Sequence, residues 1–265
     1  MREMSTIKPI ESATLRSRAV EQLRGLIVPG ELGPGARLIE SDLAQALGIS
    51  RGSLREAMRE LIDVGLLVSL PYRGLFVRDV SCVDLEEIYS LRTHLEQFAF
   101  RRCWDRRTAA ARADLVARHT ALMRTIEAGT DPLRAIEDEL HLHNWCYELA
   151  GHDLLPQSWN RMKPNLQFYF AIHQQADERR GPLRTAHDVY IELACGDDLP
   201  DMPDHLVAHM RQGLDTTTGF VRARQSARGG RADQAQGGQL GTAGGRLHRA
   251  TCQGRTTGES GRWSD

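Results

Sequence analysis

Four side chains in the middle and late parts of the sequence are of the types that bind divalent metal ions. Glu139 and His143 are four residues apart, so on a helix both project from adjacent turns of one face. His187 and His209 also lie at helical spacing from apolar residues. One carboxylate and three imidazoles would bind zinc, or manganese, iron or nickel with water completing the shell. We predict these four residues as metal ligands; separate hydrogen-bonded core histidines are the alternative.

A single arginine, Arg92, lies where the sequence predicts a buried helix face. Ile88 and Leu95 flank it at helical spacing, and an unpaired guanidinium on such a face would be costly. An anionic group must therefore meet it. The two candidates are an internal carboxylate such as Glu96 and the carboxylate of a bound ligand, which a guanidinium can hold through two parallel hydrogen bonds.

Helices are the elements that would position these residues. Apolar residues recur at helical spacing in stripes that begin at Leu85, Leu115, Ile136 and Leu155. Prolines at positions 182 and 203 fit the first turns of two more helices. About six helices must pack on one another to bury these stripes. We therefore predict an all-helical domain over residues 81–222.

Ahead of this domain, residues 41–65 predict two short helices joined by a tight turn, which Gly48 fits as a left-handed cap. On the second helix apolar residues occupy one face, and arginines recur every fourth residue on another: Arg51, Arg55 and Arg59. A helix that offers guanidinium forks at its N-terminal end can enter the major groove of DNA. This pattern predicts a helix-turn-helix, and a solvated arginine face on an ordinary helical hairpin is the alternative.

The flanking sequence extends this unit. Two short apolar runs at 67–71 and 75–77 are separated by Tyr72-Arg73-Gly74, which predicts a hairpin with a basic tip. Upstream, the apolar spacing from Leu15 to Ile27 predicts a third helix. The predicted fold class is therefore mainly α, with an N-terminal winged helix-turn-helix (1–80, including a small β-hairpin wing) before the helical bundle.

The end of the sequence lacks the pattern of a packed domain. Residues 229–265 include 10 glycines and no Ile, Val or Phe, so they cannot bury enough apolar surface to offset the entropy of ordering. We predict a disordered, Gly-rich tail over residues 223–265.

Charge and composition restrict the partners. The net charge of −1 is divided into +1 for residues 1–80, −7 for 81–220 and +5 for 221–265. DNA contact must therefore come from local basic patches in the first segment.

No stretch approaches the ~18 apolar residues of a membrane helix, and the sequence starts without a signal peptide's apolar core. Five scattered cysteines indicate neither a disulfide framework nor a thiolate zinc site. We expect a cytoplasmic protein without a membrane partner.

The first segment resembles the GntR-type winged-helix repressors. The resemblance covers nearly all of residues 15–79 and lies in these stretches: Gln22–Ile27, Pro34–Leu38, Leu43–Arg51, Leu54–Met58, Gly65–Leu67 and Arg73-Gly74. Together with the arginine pattern it implies operator DNA as a partner, with contacts expected from these residues: Arg37, Ser41, Arg51, Gly52, Ser53, Arg55, Arg59, Arg73 and Gly74. Relatives often carry Thr and Pro where Gly52 and Ser53 stand, so we expect different preferred bases.

The helical segment resembles the FCD ligand-binding domain of the FadR branch of these regulators. The usual metal pattern there is Asp-x-x-x-His followed by two further histidines, and the four predicted ligands reproduce it with Glu139 in place of the usual Asp. Three more histidines are alternatives that do not match the pattern: His141, His152 and His173.

A second pattern of that family, Tyr-x-x-Arg-x-x-x-Glu, runs here from Tyr89 to Glu96. In the family this arginine faces the effector pocket beside the metal. The resemblance therefore implies Arg92 and Glu96 as effector-binding residues and a small organic acid as the effector.

These inferences predict a metabolite-responsive transcription regulator that acts as a repressor. We expect a homodimer, because two recognition helices bind half-sites one helical turn of DNA apart. The competing prediction is a metal-dependent, hydrolase-like enzyme with a DNA-binding appendage, since such a metal can activate water. Four protein ligands and no evident further general base favour a site that binds without turnover, so we predict no enzymatic activity.

Overall fold

The computed structural model describes residues 15–177, 185–197 and 199–236. Its first part contains three helices and a small sheet, in this order: α1 (Leu15–Ile27), β1 (Arg37–Leu38), α2 (Glu40–Leu47), α3 (Arg51–Asp63), β2 (Leu67–Leu70) and β3 (Gly74–Val77). The sheet is antiparallel in the order β1-β3-β2. This is the predicted winged helix-turn-helix, with β1 as an added strand.

Local sequence sets the turn between α2 and α3. Gly48 ends α2 in the left-handed region at φ 63°, a conformation that costs glycine little. Ser50 is the N-cap of α3, and its hydroxyl accepts a hydrogen bond from the Ser53 amide at 3.1 Å. Leu54 and Leu61 of α3 are fully buried in the core beneath this turn. The two helices are thereby fixed with the opposite face of α3 exposed.

The second part is helical, apart from short connections and a 3-10 turn at Trp104–Arg106. Its helices are α4 (Cys82–Cys103), α5 (Ala109–Ala128), α6 (Pro132–Leu149), α7 (Leu154–Asp177), α8 (Asp188–Cys195) and α9 (Asp201–Gln236). The side chains of Ser81, Thr108 and Asp131 cap the N-termini of α4, α5 and α6. The predicted mainly α fold class is confirmed. Within the described residues, no helix is both long and apolar enough to cross a membrane.

One boundary differs from the sequence prediction. The sequence predicts a disordered tail from residue 223 onward, whereas α9 extends to Gln236. The segment 223–236 is rich in Ala, Arg and Gln, whose helix propensity supports a helix without an apolar stripe; residues 237–265 lie outside the described part. Pro182 also lies outside the described part, and α8 begins at Asp188.

Hydrogen bonds tie the winged-helix part to the helical part near residue 80. Arg78 donates from Nε to the Gly65 carbonyl at 2.6 Å and from Nη1 to the Asp84 carboxylate at 2.9 Å. From α7, Asn165 donates through Nδ2 to the carbonyl of Val64 at 2.5 Å. Val64 is the C-cap of α3, so α7 contacts the residue at which the second helix of the helix-turn-helix ends.

Candidate metal centre, effector cavity and DNA-binding face

Three of the four predicted metal ligands meet inside the helical part. His143 lies on α6, His187 is the N-cap of α8 and His209 lies on α9. One ring nitrogen from each lies within 4.8 Å of the other two. The Nε2 atoms of His143 and His187 are 3.2 Å apart, and both side chains are fully buried. Helices far apart in sequence thus deliver three imidazoles to one point.

Glu96 holds the His143 ring from the side opposite the cluster. The His143 Nδ1 atom is 2.6 Å from Glu96 Oε1, and the hydroxyl of Tyr190 donates to the same oxygen at 3.1 Å. When Nδ1 donates this hydrogen bond, Nε2 carries the free lone pair that faces His187. A carboxylate behind a histidine is the usual partner that orients a metal-ligating imidazole.

Glu139 lies at the edge of the cluster. Its Oε1 is 3.9 Å from Nε2 of His187, but it is not within 4.8 Å of all three imidazole nitrogens. Burial raises the pKa of Glu139 to about 7, and the nearby Arg92 guanidinium opposes that rise. The structure therefore brings the three histidines together as a group and places the predicted carboxylate beside one of them.

The donor set fits a divalent ion such as zinc. Two nitrogens bound to one tetrahedral ion at ~2.0–2.1 Å would be separated by about 3.3 Å, close to the observed distance between the His143 and His187 nitrogens. Burial lowers the pKa of each ring, that of His209 to about 3. The Arg92 guanidinium lowers the pKa of all three rings further, and His143 also lowers the pKa values of His187 and His209. The rings are therefore neutral, as ligation requires.

Two arginines fix α8, the short helix that begins at His187. Arg107 donates through Nη1 to the carbonyls of Ala194 at 2.7 Å and Gly196 at 2.8 Å. Arg112 donates through Nη1 to the Cys195 carbonyl at 2.7 Å. These bonds satisfy carbonyls at the C-terminal end of α8, where positive charge is favourable. The position of His187 is thus set partly from the far end of its helix.

Arg92 is buried, with 2% of its surface exposed, next to the histidine cluster. Its Nε is 3.4 Å from Glu96 Oε2, and its guanidinium carbon lies 5.4 Å from the centre of the Trp159 ring. Even so, Nε and Nη2 form no hydrogen bond to any residue that the structure describes. A buried donor without a partner costs about 1–3 kcal/mol, so this guanidinium keeps unused capacity to bind an anion.

A cavity of about 120 Å³ lies beside Arg92 and the histidines. Its wall includes Tyr89 and Arg92 from α4, Glu139 from α6, residues of α7 and α9, and His187. Glu96 does not line it. The family resemblance implies Glu96 as an effector-binding residue, but the structure places it behind His143, because the His143 ring occupies the position next to its carboxylate.

The sequence analysis did not find three polar side chains that shape this region. Gln174 of α7 lines the cavity, Tyr190 of α8 donates to Glu96, and His205 of α9 stacks on His209 with 5.8 Å between ring centres. Each of the three lies one helical turn from a residue that the sequence pattern had already singled out. Gln174 follows Phe170, Tyr190 follows His187 and His205 precedes His209. This spacing was the only signal in the sequence that could have identified them.

The three alternative histidines lie outside the cluster. His141 is exposed on α6, and the ring of His152 packs edge-on against Phe98. His173 lines the cavity and lies against Phe220, but its nitrogens are not part of the three-histidine group.

The predicted DNA-contacting residues lie on one domain and are mostly exposed. Only Ser53 is half-buried, because it bonds to the N-cap Ser50; the exposed residues are Arg37, Ser41, Arg51, Gly52, Arg55, Arg59, Arg73 and Gly74. Arg55 donates from Nε to Glu40 at 2.7 Å. Arg51, by contrast, has no ion pair within the described residues. The two arginines therefore present different amounts of free positive charge.

The wing is the hairpin formed by β2 and β3, which are joined by a three-residue loop at positions 71–73. Tyr72 at its tip is fully exposed and has a positive φ of 60°, which is uncommon for a residue other than glycine. The Arg37 side chain lies against Gly74, so Arg37 and Arg73 place two guanidinium groups at this end of the sheet.

Comparison with known proteins agrees with this architecture. Residues 15–77 match the gntR family of bacterial regulatory proteins, and residues 87–212 match the FCD domain. The HTH-type transcriptional regulator YdhC of Bacillus subtilis is 26% identical over 194 residues, which cover 73% of this chain and 87% of that protein. The gluconate operon transcriptional repressor of Bacillus licheniformis is 23% identical over 219 residues, which cover 81% of this chain and 88% of that protein.

The fold is also similar to a solved structure, that of Escherichia coli McbR/YncC. The TM-score is 0.65 at 22% sequence identity, over 79% of this chain and 99% of that one. Because the two family matches together span both described parts, the architecture and the sequence lead to one assignment. The chain belongs to the gntR family of bacterial transcription regulators and joins a winged helix-turn-helix domain to an FCD domain.

Proposed function

We propose that this protein is a transcriptional repressor whose affinity for operator DNA is controlled by a small carboxylate bound in the cavity beside Arg92. The regulator class follows from the two family matches. Repression is supported by the name of one relative, the gluconate operon transcriptional repressor. The effector is supported by the chemistry of the cavity, which we propose is a site for binding and not for catalysis.

Arg92 is the observation that carries the effector assignment. Its guanidinium is buried, lines the cavity and has two nitrogens without a hydrogen-bond partner among the described residues. Glu96, its nearest carboxylate, also bonds to His143 and Tyr190, so its negative charge is shared. A carboxylate that entered the cavity would use the donors that the protein leaves free.

The three histidines support a metal requirement for this site. His143, His187 and His209 would hold the ion, and Glu139 lies close enough to His187 to join them after a small side-chain movement. A divalent ion there would add positive charge to the cavity wall and so attract a carboxylate. Glu96 would keep the His143 ring in the ligating orientation.

The DNA-binding part supports operator recognition by a pair of chains. The exposed arginines of α3 and the wing fit the groove and the phosphates of one half-site. One helix-turn-helix covers only a half-site, so we propose that the protein binds as a homodimer to a near-palindromic operator. Cytoplasmic location is part of the same proposal, because the operator is there.

Arg92→Ala tests this function. We would titrate a labelled operator with metal-loaded wild type and variant, with and without small carboxylates of two to six carbons. Carboxylates that bind the wild type should shift its operator affinity, because an effector acts only when it binds the two conformations unequally. Arg92→Ala should keep basal operator binding and lose roughly 10- to 100-fold in carboxylate affinity, as expected for a charged hydrogen-bond donor.

Arg124→Ala is the matched control, since Arg124 is exposed on α5. It should respond to carboxylates as the wild type does. An Arg92→Ala protein with undiminished carboxylate affinity would disprove the assignment of the cavity. A wild type that binds none of these acids would also contradict the proposal.

A further inference from the structure

Gln174 is a buried polar side chain whose amide oxygen has no hydrogen-bond partner within the described residues. It lies on α7, one helical turn after Phe170, and both residues line the cavity beside Arg92. Only 7% of Gln174 is exposed, and its amide oxygen forms no hydrogen bond within the described residues. An amide buried in this way costs free energy that an apolar side chain of the same size would not.

Two other polar side chains on this side of the cavity already have hydrogen-bond partners. Thr216 and Thr217, on the facing helix α9, donate their hydroxyl hydrogens to the carbonyls of Gln212 and Gly213 at 2.8 Å. Gln174 therefore differs from these two threonines, because it lines the cavity with an amide oxygen that has no hydrogen-bond partner within the described residues. Its natural partner is a group on the molecule that fills the cavity.

The chemistry of that group follows from what an amide and Arg92 both tolerate. A hydroxyl both donates and accepts, so it can pair with either end of a glutamine amide. A second carboxylate only accepts and would leave the amide oxygen unpaired. An ammonium group would donate to that oxygen, but it would enter a cavity whose wall already carries the Arg92 charge.

We propose that Gln174 recognises a hydroxyl group of the effector, so that the cavity selects hydroxycarboxylates over the same acids without the hydroxyl. This inference rests on the proposed function, in which Arg92 binds the carboxylate. Gln174 is then a specificity-determining residue: Arg92 supplies affinity for the acid, and Gln174 discriminates among acids.

Matched pairs of acids test the proposal. We would measure dissociation constants by calorimetry on the metal-loaded full chain, using lactate against propionate and malate against succinate, with both enantiomers of each hydroxy acid. For the wild type, one enantiomer of at least one pair should bind at least about fivefold more tightly than its deoxy analogue, because the analogue leaves the amide unpaired. Gln174→Met should remove this preference and leave the affinity for the deoxy acid unchanged.

Two further variants separate the possible failures. Thr216→Val changes another cavity residue whose hydroxyl is already bonded, and it should keep the preference for the hydroxy acid. Arg92→Ala should weaken both members of a pair equally, which tests the proposed function and not the hydroxyl contact.

If the acids bind through Arg92 but the wild type shows no preference, the proposed function stands and the role of Gln174 is wrong. A preference that survives in Gln174→Met would mean that the hydroxyl binds elsewhere, for instance on the metal, and would also overturn the inference. If no acid binds the wild type, both proposals fail. The melting temperature of each variant shows whether the variant is folded, so that a lost preference is not mistaken for unfolding.

Discussion

The two ring nitrogens of His143 face different partners, and this determines what the imidazole can do. Nδ1 contacts Glu96, whereas Nε2 faces His187 in the cluster. Both residues are fully buried, so water cannot replace either contact. The pair formed by Glu96 and His143 therefore presents one lone pair in a fixed direction, which is the property that a preformed metal site needs.

We expect His187→Ala to abolish metal-dependent stability. An ion that binds only the folded chain adds about 2.7 kcal/mol of unfolding free energy at one hundred times its dissociation constant. A chelator should therefore lower the melting temperature of the wild type and leave that of the variant nearly unchanged. Differential scanning calorimetry with and without the chelator, alongside elemental analysis, makes the measurement.

His141→Ala is the control for this experiment, because His141 is an exposed histidine on the same helix as His143. It should retain both the metal and the response to the chelator. Equal chelator effects on wild type and His187→Ala would contradict the role of His187 as a ligand.

At the level of single residues, the sequence was informative where several unusual residues shared a pattern. Three imidazoles at helical spacing from apolar residues predicted a cluster, and the structure brings them together. The role of Glu96 could not be predicted in the same way. It is four residues from Arg92 and 47 from His143, and the local spacing indicated only the first of these contacts.

Among the helices, α7 both lines the cavity and contacts the end of α3. Phe170 and Gln174 line the cavity. Asn165 precedes both residues on the same helix and donates a hydrogen bond to the Val64 carbonyl at the end of α3. The hydroxyl of Tyr169 also accepts a hydrogen bond from the Ser81 amide at 3.1 Å. A shift of α7 caused by a ligand would therefore reach the recognition helix directly.

We expect Asn165→Ala to weaken the coupling between effector and operator. The variant should bind the operator and the effector acids with affinities near those of the wild type, while the effect of one on the other falls. Coupling free energies of this kind are typically about 1–3 kcal/mol, so the loss is measurable as a reduced shift in operator dissociation constant. Fluorescence anisotropy with saturating acid provides that comparison.

Asn160→Ala is the matched control, because it removes the same side chain from an exposed position on the same helix. Its coupling should equal that of the wild type. If Asn165→Ala transmits the full effect, the contact with Val64 is not the route.

The helices were predictable because their apolar stripes and caps are local features of the sequence. The exceptions have local causes too. The last turns of α9 follow helix propensity without a stripe, and His187 caps α8 where the sequence favoured a position inside a helix. The contact between α7 and α3 joins residues 101 positions apart, and no periodicity reports on such a pair.

For the whole molecule, we expect DNA binding to depend on a few residues and not on overall charge. The first 80 residues carry a net charge of only +1. Arg51 is exposed and has no ion pair in the part of the chain that the structure describes, so we expect it to matter more than the total charge. Arg55 differs because Glu40 already engages it. The predicted tail beyond residue 236 lies outside the described residues and stays a prediction.

We expect Arg51→Ala to weaken specific operator binding by about 1–3 kcal/mol for each half-site. In a homodimer this loss of binding free energy should occur once in each half-site. A mixed dimer with one wild-type and one variant chain should therefore have an operator-binding free energy midway between those of the two pure dimers. Co-expression with two different affinity tags would isolate the mixed dimer, and gel-shift titrations would give the three dissociation constants.

Arg124→Ala in both chains serves as the control and should have no effect. Equal affinities for wild type, mixed dimer and variant would remove Arg51 from the operator interface. Failure to isolate a mixed dimer, with one chain per operator by sedimentation, would contradict the homodimer.

The hydrogen bonds from Arg107 and Arg112 to the end of α8 limit how this segment of the sequence can vary. All three contacts are made to backbone carbonyls, so the side chains at positions 194 and 195 can be exchanged without removing them. The number of residues cannot change so freely. One residue inserted between His187 and Ala194 would turn the imidazole by about 100° around the helix and move it about 1.5 Å along the axis. Over evolution, this segment is expected to tolerate substitutions but not insertions or deletions.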